Sequence, residues 1–510
     1  MAARACGMAV AGVAGAPTAA SRPAPVARAP GLCQGRAVSN PGQPHVVVVG
    51  GGIAGLAAAF FLREAPCRVT VLEGSPRPGG KLRVSEIAGI AVDEGAEALL
   101  ARRPEGTGLA AAAGLAGQLV WPGTTVARIW SRGRMCPLPR RQVLGVPADL
   151  TELAGTGLVS EDGMARARQD LGLPATGRDG DVPVAGFVAA RFGPEVVDRL
   201  VDPLLAAVYA GRSEELSFDA TLPALAAESR KHASLAEAAT AVLPDPAGPG
   251  PAATPVFTTL AGGLGTLPAA VAAASGSCVR TGAMVRGLAR TATGWRLTVG
   301  SAHDEEYLAA DAVILAVPAA PAARLLGGVP GASAAVTALQ EIRYASMAIV
   351  TLAYPAAAFP GPLEGSGYLV PAADGRAVKA VTFSTVKWPH LADGGAGPVI
   401  VRCSLGRVGE EALLQSGDAE LASLATADLA AATGASGAPL ATRVTRWGGG
   451  LPQYTVGHLD RVARIRSAVA AQPGLAVCGA AYDGIGIPAC VATAQAAAAQ
   501  IAAHLRDDRQ

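Results

Sequence analysis

The stretch that decides the fold is Val46-Val47-Val48-Val49-Gly50-Gly51-Gly52-Ile53-Ala54-Gly55. Four consecutive valines are typical of a buried parallel strand, and the apolar run from Ala54 to Arg63 is typical of a helix. Between them lies a Gly-x-Gly-x-x-Gly pattern: the first glycine makes the turn, the second admits a pyrophosphate, and the third lets helix and strand meet. Because backbone N–H groups at the helix start attract phosphate, the stretch predicts a dinucleotide site.

A second strand and an acidic residue complete this unit. Arg68 to Leu72 has the pattern of a strand, and Glu73 follows it, 23 residues beyond Gly50. A carboxylate at this place accepts hydrogen bonds from the ribose hydroxyls of an adenosine. A glycine-rich turn that only packs would leave Glu73 without a role, so we interpret the segment as a dinucleotide-binding βαβ unit.

The residues after Glu73 indicate which dinucleotide is bound. Ser75-Pro76-Arg77-Pro78-Gly79-Gly80-Lys81-Leu82 forms a second basic, glycine-rich turn beside the first. Such a turn suits the longer FAD, whereas NAD-binding folds have no reason to carry it. Arg77, Gly80 and Lys81 are therefore candidate FAD ligands, although the two cations also fit solvated loop charges.

Length and composition limit the class of protein. A chain of 510 residues, half of them hydrophobic, is too long for one core and predicts two structural domains. The net charge of +2, with both signs spread along the chain, argues against nucleic acid as a partner. Eight cysteines without a Cys-x-x-Cys pair are typical of reduced, structural thiols. No stretch approaches ~18 consecutive apolar residues, so we expect no transmembrane segment, with peripheral membrane contact left open.

The order of strand and helix patterns predicts an α/β fold in which a Rossmann-like FAD domain is interrupted by a mixed-sheet substrate domain with a helical cap. Residues 184–210 and 218–240 carry helical spacing, whereas 151–185 and 241–254, dense in Gly, Pro, Asp and Ala, predict surface loops. The expected segments are a disordered tail or organelle leader over residues 1–44; the FAD-binding domain over 45–125, 251–330 and 451–510; and the substrate domain over 126–250, which includes the cap, and 331–450.

The turn from Glu73 to Lys81 resembles that of the flavoproteins with two dinucleotide-binding domains, which include amine oxidases, phytoene desaturases and protoporphyrinogen oxidases. In this family a segment such as Gly95-Ala96-Glu97-Ala98 runs along the flavin face. The turn Gly484-Ile485-Gly486-Ile487 opens the last, Ala-rich helix. The resemblance implies that its N–H groups face the pyrimidine edge of the flavin, where the helix dipole favours negative charge.

Several central segments narrow the resemblance to the protoporphyrinogen and coproporphyrinogen oxidases. They are residues 203–211, 382–390, 402–407, 446–447 and 451–458. By that resemblance, Val285 lies near the adenine and Trp447 lies against the flavin, although both also fit the role of core residues. The resemblance further implies oxidation of a porphyrinogen, in which the flavin takes hydride from a methylene bridge without a catalytic side-chain dyad, and oxygen as acceptor.

The substrate's propionates need cationic partners. Arg128 matches an arginine that the family associates with carboxylate binding; Lys387, Arg102 and Arg103 are weaker candidates, and all four also fit solvated surface charges. Coproporphyrinogen III carries four carboxylates and protoporphyrinogen IX two. Because soluble Gram-positive members of the family act on coproporphyrinogen III, we rank it first and expect a cytoplasmic enzyme. No metal-ligand spacing appears among the six histidines.

Other functions on the same scaffold stay open. An amine oxidase would require an aromatic cage beside the flavin, and only 4% of the residues are aromatic. A carotenoid desaturase shares the two cofactor ends but not the central segments. A non-catalytic escort protein of this fold would not need the intact Glu73, Arg77, Gly80 and C-terminal turn.

Overall fold

A five-stranded parallel sheet contains the predicted βαβ unit. The computed structural model describes residues 42–175, 178, 180–244, 255–392 and 397–507. The strands of this sheet, in spatial order, are Cys278–Arg280, Arg68–Leu72, His45–Val49, Ala312–Leu315 and Leu475–Val477. The predicted βαβ unit is therefore confirmed, and residues from three distant parts of the chain share one sheet.

Helices cover both faces of this sheet because successive side chains of a strand point to opposite faces. Val46 and Val48 pack into one apolar core, and Val47 and Val49 pack into another. The helices around the first core are Ile53–Phe61, Pro104–Ala110, Leu267–Ser275 and Ile487–Asp507. The helices around the second core are Ala319–Leu326, Ser333–Gln340 and His458–Ala470. A three-stranded antiparallel sheet, Val285–Thr291, Gly294–Ser301 and Asp304–Ala310, joins the second core.

A seven-stranded mixed sheet forms the second layer. Its strands, in spatial order, are Ala441–Pro452, Tyr344–Tyr354, Val399–Leu405, Val378–Phe383, Gly367–Leu369, Arg128–Ser131 and Arg134–Pro137. Only Gly367–Leu369 and Arg128–Ser131 pair in parallel within this sheet; the other neighbours are antiparallel. Helix Asp418–Thr433 packs on one face, and the hairpin of strands Val84–Ile87 and Ile90–Asp93 packs on the other.

A layer of short helices corresponds to the predicted cap. The helices are Leu150–Thr156, Glu161–Arg168, Val184–Phe192, Pro194–Val196, Asp202–Tyr209, Phe218–Thr221, Pro223–Glu228 and Leu235–Val242. Their buried side chains form one core that also includes Ile129 and Tyr454 of the neighbouring sheet and loop. The short strands elsewhere are Leu99–Leu100, Leu119–Val120, Phe257–Leu260, Gln142–Val143 and Val146–Pro147, and the remaining α-helix is Ser384–Lys387.

The prediction of loops over residues 151–185 was wrong, since two helices lie there. The carboxylate of Asp149 accepts hydrogen bonds from the N–H groups of Thr151 and Glu152 in helix Leu150–Thr156, and the Ser160 hydroxyl caps Glu161–Arg168 in the same way. Capping and burial against the helical core stabilise helices whose composition lacks clean periodicity. Most of the second predicted loop, residues 245–254, lies outside the described residues.

The α/β fold predicted from the sequence, with a parallel sheet, a mixed sheet and a helical layer, is confirmed by this architecture; the segment boundaries given above remain predictions. The predicted tail or leader falls almost entirely on residues 1–41, outside the described part of the chain. The four buried cysteines Cys136, Cys403, Cys478 and Cys490 are free thiols. Within the described residues, no helix is both long and apolar enough to cross a membrane.

Candidate active site

Backbone geometry explains two glycines of the fingerprint. Gly50 has a φ of +109°, and its N–H donates to the carbonyl of Leu72 at 2.8 Å. A Cβ on Gly50 would lie 2.5 Å from the carbonyl oxygen of Ala316. A Cβ on Gly55 would lie 1.9 Å from the carbonyl oxygen of Gly50, so this position requires glycine for close packing of helix and strand.

Neither backbone conformation nor packing within the protein requires glycine at position 52. The space that this glycine leaves open tests whether FAD fits the site. The φ of −72° at Gly52 suits any residue, and a Cβ there would meet no protein atom within 4 Å. The second turn lies directly beside the first, because the N–H of Gly79 donates to the carbonyl of Gly51 at 2.8 Å. Two glycine turns around open space at a helix start form a cradle that fits the pyrophosphate of FAD.

Glu73 lies at the rim of this cradle. One of its carboxylate oxygens accepts from the N–H of Gly51 at 2.7 Å, and the other accepts from the N–H of Ser75 at 2.7 Å. Because each oxygen has a second lone pair, the carboxylate keeps the capacity to bind ribose hydroxyls. The N–H of Ala283 donates to the Glu73 carbonyl, which brings the predicted adenine neighbour Val285 to the same side. Arg77 is exposed on the second turn.

The predicted flavin-facing segment lies between the second turn and the mixed sheet. A Cβ on Gly95 would lie 2.1 Å from the carbonyl oxygen of Lys81 and 3.1 Å from the ring of Trp447. The indole N–H of Trp447 donates to the carbonyl of Glu94 at 3.1 Å. The structure therefore brings Trp447 beside Lys81 and Gly95, both of which precede it by more than 350 residues in the sequence. Ala96 is exposed at this segment and Ala98 is half-buried.

The C-terminal turn is held by a residue that was not predicted as part of the site. The hydroxyl of Tyr454 accepts from the N–H of Gly484 at 2.8 Å and donates to the carbonyl of Ala480 at 2.7 Å. Ile485 packs against the core of the helical layer, and Ile487 begins the last helix. Gly486 is exposed. Tyr454 lies in segment 451–458, one of those that resemble the porphyrinogen oxidases, and this resemblance could have identified it.

Lys387, a predicted substrate anchor, forms an ion pair within the protein. Its ammonium lies 2.8 Å from Glu97, and the other oxygen of Glu97 binds the guanidinium of Arg402. Arg402 also donates to the carbonyl of Gly95 at 2.5 Å. Burial alone would raise the pKa of Glu97, but the Lys387 and Arg402 charges outweigh it and lower the pKa to about 2. Arg402 was not predicted as a site residue; its signal was a charged residue within a strand of otherwise apolar and small residues.

The other predicted anchors lie nearer to solvent. Arg128 begins its strand and binds the carboxylate of Glu364 at 2.6 Å, where the Glu364 side chain is 75% exposed. Arg102 and Arg103 are exposed, and Arg103 pairs with Glu105 at 2.6 Å. Within the described residues, no cluster of three His, Cys, Asp or Glu side chains is arranged to bind a metal.

Comparison with known proteins agrees with this geometry. Residues 53–502 match the family described as flavin containing amine oxidoreductase. The coproporphyrinogen III oxidase of Bacillus subtilis (strain 168) is 32% identical over 474 residues, which is 91% of this chain and 99% of the relative. That of Mycobacterium tuberculosis (strain ATCC 25618 / H37Rv) is 39% identical, with 88% and 95% covered. The chain belongs to the coproporphyrinogen and protoporphyrinogen oxidase family of flavoproteins.

Two further relatives place this flavoprotein in the same family. The protoporphyrinogen oxidase of Bos taurus is 31% identical over 493 residues, covering 89% of this chain and 98% of the relative. The crystal structure of a protoporphyrinogen oxidase homologue from Exiguobacterium sp. 255-15 superposes with a TM-score of 0.79 at 31% identity, covering 90% and 99% of the two chains. The predictions of an FAD-dependent oxidase and of FAD as its cofactor are thereby confirmed.

Proposed function

We propose that this flavoprotein oxidises coproporphyrinogen III to coproporphyrin III in the cytoplasm, with dioxygen as electron acceptor. The observation that carries the proposal is the match, over about nine-tenths of the chain, to bacterial relatives named coproporphyrinogen III oxidase. The cradle of Gly52 and Gly80, with Glu73 at its rim, supports FAD as the cofactor that this chain binds.

The protein's own residues would bind, orient and shield rather than react. FAD, when bound, supplies the hydride acceptor. We assign the pyrophosphate to residues 50–55 and 79–81, the ribose to Glu73, and the ring to residues 95–98, 484–487 and Trp447. Tyr454 orients the turn at residues 484–487, and the Trp447 indole is held by its hydrogen bond to the Glu94 carbonyl. Binding and orientation account for a large share of such catalysis.

Arg128 is the strongest of the proposed propionate anchors. Its partner Glu364 is exposed, so a substrate carboxylate can displace that surface pair at a cost of about 1 kcal/mol or less. Lys387 is shared with Glu97 at a half-buried position, which makes it a weaker anchor. Arg102 and Arg103 are exposed and suit a role at the mouth of the site.

The decisive experiment mixes anaerobic, FAD-loaded protein with coproporphyrinogen III or protoporphyrinogen IX and follows the loss of flavin absorbance. We expect both to reduce the flavin, coproporphyrinogen III with an at least tenfold higher second-order rate constant. Admitting air should restore the flavin spectrum with one peroxide formed per two electrons. Failure of both porphyrinogens to bleach the flavin would contradict the proposal.

Protoporphyrinogen IX is the second candidate substrate, because the bovine relative named for it is 31% identical over nearly its whole length. Faster flavin reduction by protoporphyrinogen IX than by coproporphyrinogen III in the same experiment would favour this alternative. An escort function predicts that the purified protein lacks flavin, which its absorption spectrum decides.

A further inference from the structure

The face of the mixed sheet that meets the hairpin of residues 84–93 carries two distinct rows of side chains. Ala353 pairs with both Ala441 and Ile400 across three neighbouring strands. These three residues pack against Ile87 and Ile90 of the hairpin. The first row is thus an ordinary apolar contact.

The second row, one pleat further along, is polar. Thr351 pairs with Arg443 on one side and with Arg402 on the other, so the three side chains point to the same face, one strand spacing of about 4.8 Å apart. Ser85 lies two residues before Ile87 and pairs with Val92; because Ile87 and Val92 both pack against the mixed sheet, Ser85 is on the hairpin face turned toward it. Arg443 donates to the carbonyl of Glu86 at 3.1 Å, which shows that the hairpin covers the row.

This second row and the hairpin that covers it contain a group of buried polar atoms that lack hydrogen-bond partners among the described protein groups. They are Nε of Arg402, Nε and Nη2 of Arg443, Oγ1 of Thr351 and Oγ of Ser85. The Thr351 side chain is 1% exposed. A buried donor without a partner costs about 1–3 kcal/mol, so several together on one small surface call for a ligand.

Among the described residues at this place, the cations Arg83, Arg402, Arg443 and Lys387 outnumber the carboxylates Asp93, Glu94 and Glu97. Within the described residues, no carboxylate forms an ion pair with Arg443, and Arg402 shares Glu97 with Lys387. Burial, and then the charge of Arg402, lowers the pKa of Arg443. Guanidinium groups only donate, and the two hydroxyl groups can turn to donate as well. A water molecule would also have to donate its own hydrogens here, whereas an anion accepts from every group.

We propose that Arg443, Thr351, Arg402 and Ser85 form a binding site for a monovalent inorganic anion of the size of chloride. The anion would neutralise the unpaired guanidinium and tie the hairpin to the mixed sheet. Because this hairpin leads directly into residues 95–98, the occupied site would stabilise the segment assigned to the flavin face.

The first test uses FAD-loaded protein and sodium chloride or bromide, with sodium gluconate keeping ionic strength constant. We expect halide to raise the midpoint of thermal unfolding in a saturable way, since a ligand of the folded state stabilises it. Thr351→Val retains the shape but removes one donor, and Arg443→Met removes the unpaired charge. We expect half-saturation at tenfold higher halide for the first variant and no saturable response for the second.

Arg446→Gln is the matched control, because Arg446 lies on the same strand but points to the opposite face. It should keep the wild-type halide response. Without halide, Thr351→Val should be at least as stable as the wild type, since it removes a buried hydroxyl that lacks a partner. An equal halide response in all four proteins would overturn the proposal.

A crystallographic test does not depend on variants. Crystals of the wild type soaked in bromide should show an anomalous peak within about 3.5 Å of the Arg443 guanidinium and the Thr351 hydroxyl. Electron density for water alone, without anomalous signal, would overturn the anion assignment.

Discussion

The hydroxyl of Tyr454 joins the end of the mixed sheet to the C-terminal turn, because it accepts the N–H of Gly484 at 2.8 Å. Burial raises the pKa of Tyr454 well above its ordinary value, so the group remains a neutral hydroxyl. It also donates to the carbonyl of Ala480. One side chain thus sets the position of residues 480–484, which lead into the turn assigned to the flavin and include its first residue.

Replacing Tyr454 by Phe should weaken FAD binding. The variant loses two hydrogen bonds, each contributing about 1 kcal/mol, and the turn becomes less ordered. We expect the Kd for FAD to rise about 5–30-fold, measured by titrating apoprotein and following flavin fluorescence. Tyr307→Phe, at an exposed tyrosine bound to Glu305, should leave the Kd unchanged. An unaltered Kd in Tyr454→Phe would show that Tyr454 does not position the turn for FAD binding.

Two glycines of the fingerprint should respond differently to alanine. Gly52→Ala meets open space in the protein, so the apoprotein should unfold at nearly the wild-type midpoint while FAD affinity falls about 10–100-fold. Gly55→Ala places a methyl group against the Gly50 carbonyl and should lower stability by about 2 kcal/mol or more even without FAD. Thermal unfolding of both variants, measured with and without FAD, separates the two effects. If apoprotein Gly52→Ala is destabilised as much as Gly55→Ala, the space beside Gly52 is not open and the assignment of a pyrophosphate to it is wrong.

Glu97 should make stability depend on acid pH. Its pKa is about 2 in the folded protein and near 4.5 when unfolded. A lowered pKa means that the unfolded state binds more protons below pH 5, so the contribution is present at neutral pH and disappears as pH falls from about 5 to 2. The lowered pKa of Glu97 contributes on the order of 3 kcal/mol to the free energy of unfolding at neutral pH.

Glu97→Gln should therefore unfold more easily at pH 7 and show a flatter pH dependence between 5 and 3, measured by urea unfolding. The control Glu364→Gln breaks an exposed pair and should change the free energy of unfolding by less than about 1 kcal/mol. Parallel pH profiles for wild type and Glu97→Gln would contradict the assignment.

Lys379 should make stability depend on pH in the alkaline range. It is 1% exposed and donates to the Ser404 hydroxyl at 2.7 Å, and burial lowers its pKa to about 7. Between pH 7 and 10.5 the unfolded state binds the extra proton, so stability should rise with pH across this window. Lys379→Met should be more stable by on the order of 2–4 kcal/mol near pH 7 and lose this rise. A Met variant with the wild-type pH slope would show that Lys379 is not the cause.

Arg128→Ala should raise the KM for coproporphyrinogen III about tenfold and leave FAD content unchanged. The loss of one charge-assisted contact accounts for a change of this size. Arg212→Ala, which removes an arginine of the cap that binds the carbonyl of Val408, serves as a comparison and should leave KM unaffected. Equal loss of FAD and of substrate binding in Arg128→Ala would indicate a structural role instead.

Local sequence determined the cofactor end of this protein. Four valines, three spaced glycines and Glu73 act over fewer than 30 residues, where strand formation, turn geometry and helix start leave few alternatives. The glycines of the turn at residues 484–487 are also visible in the sequence, but the Tyr454 hydroxyl that holds this turn lies at the end of the mixed sheet. The helices within residues 151–185 were missed because their stability comes from caps and burial rather than from periodicity.

Only the tertiary structure decided which charges meet. Lys387 is a plausible propionate anchor by sequence, yet Glu97, 290 residues away, binds it. Arg402, Thr351 and Arg443 lie on three strands whose order follows from no local signal, and their alignment depends on strand register. The physical reason is that backbone propensity acts between neighbours along the chain, whereas the partner of a buried charge depends on which distant strands pack together.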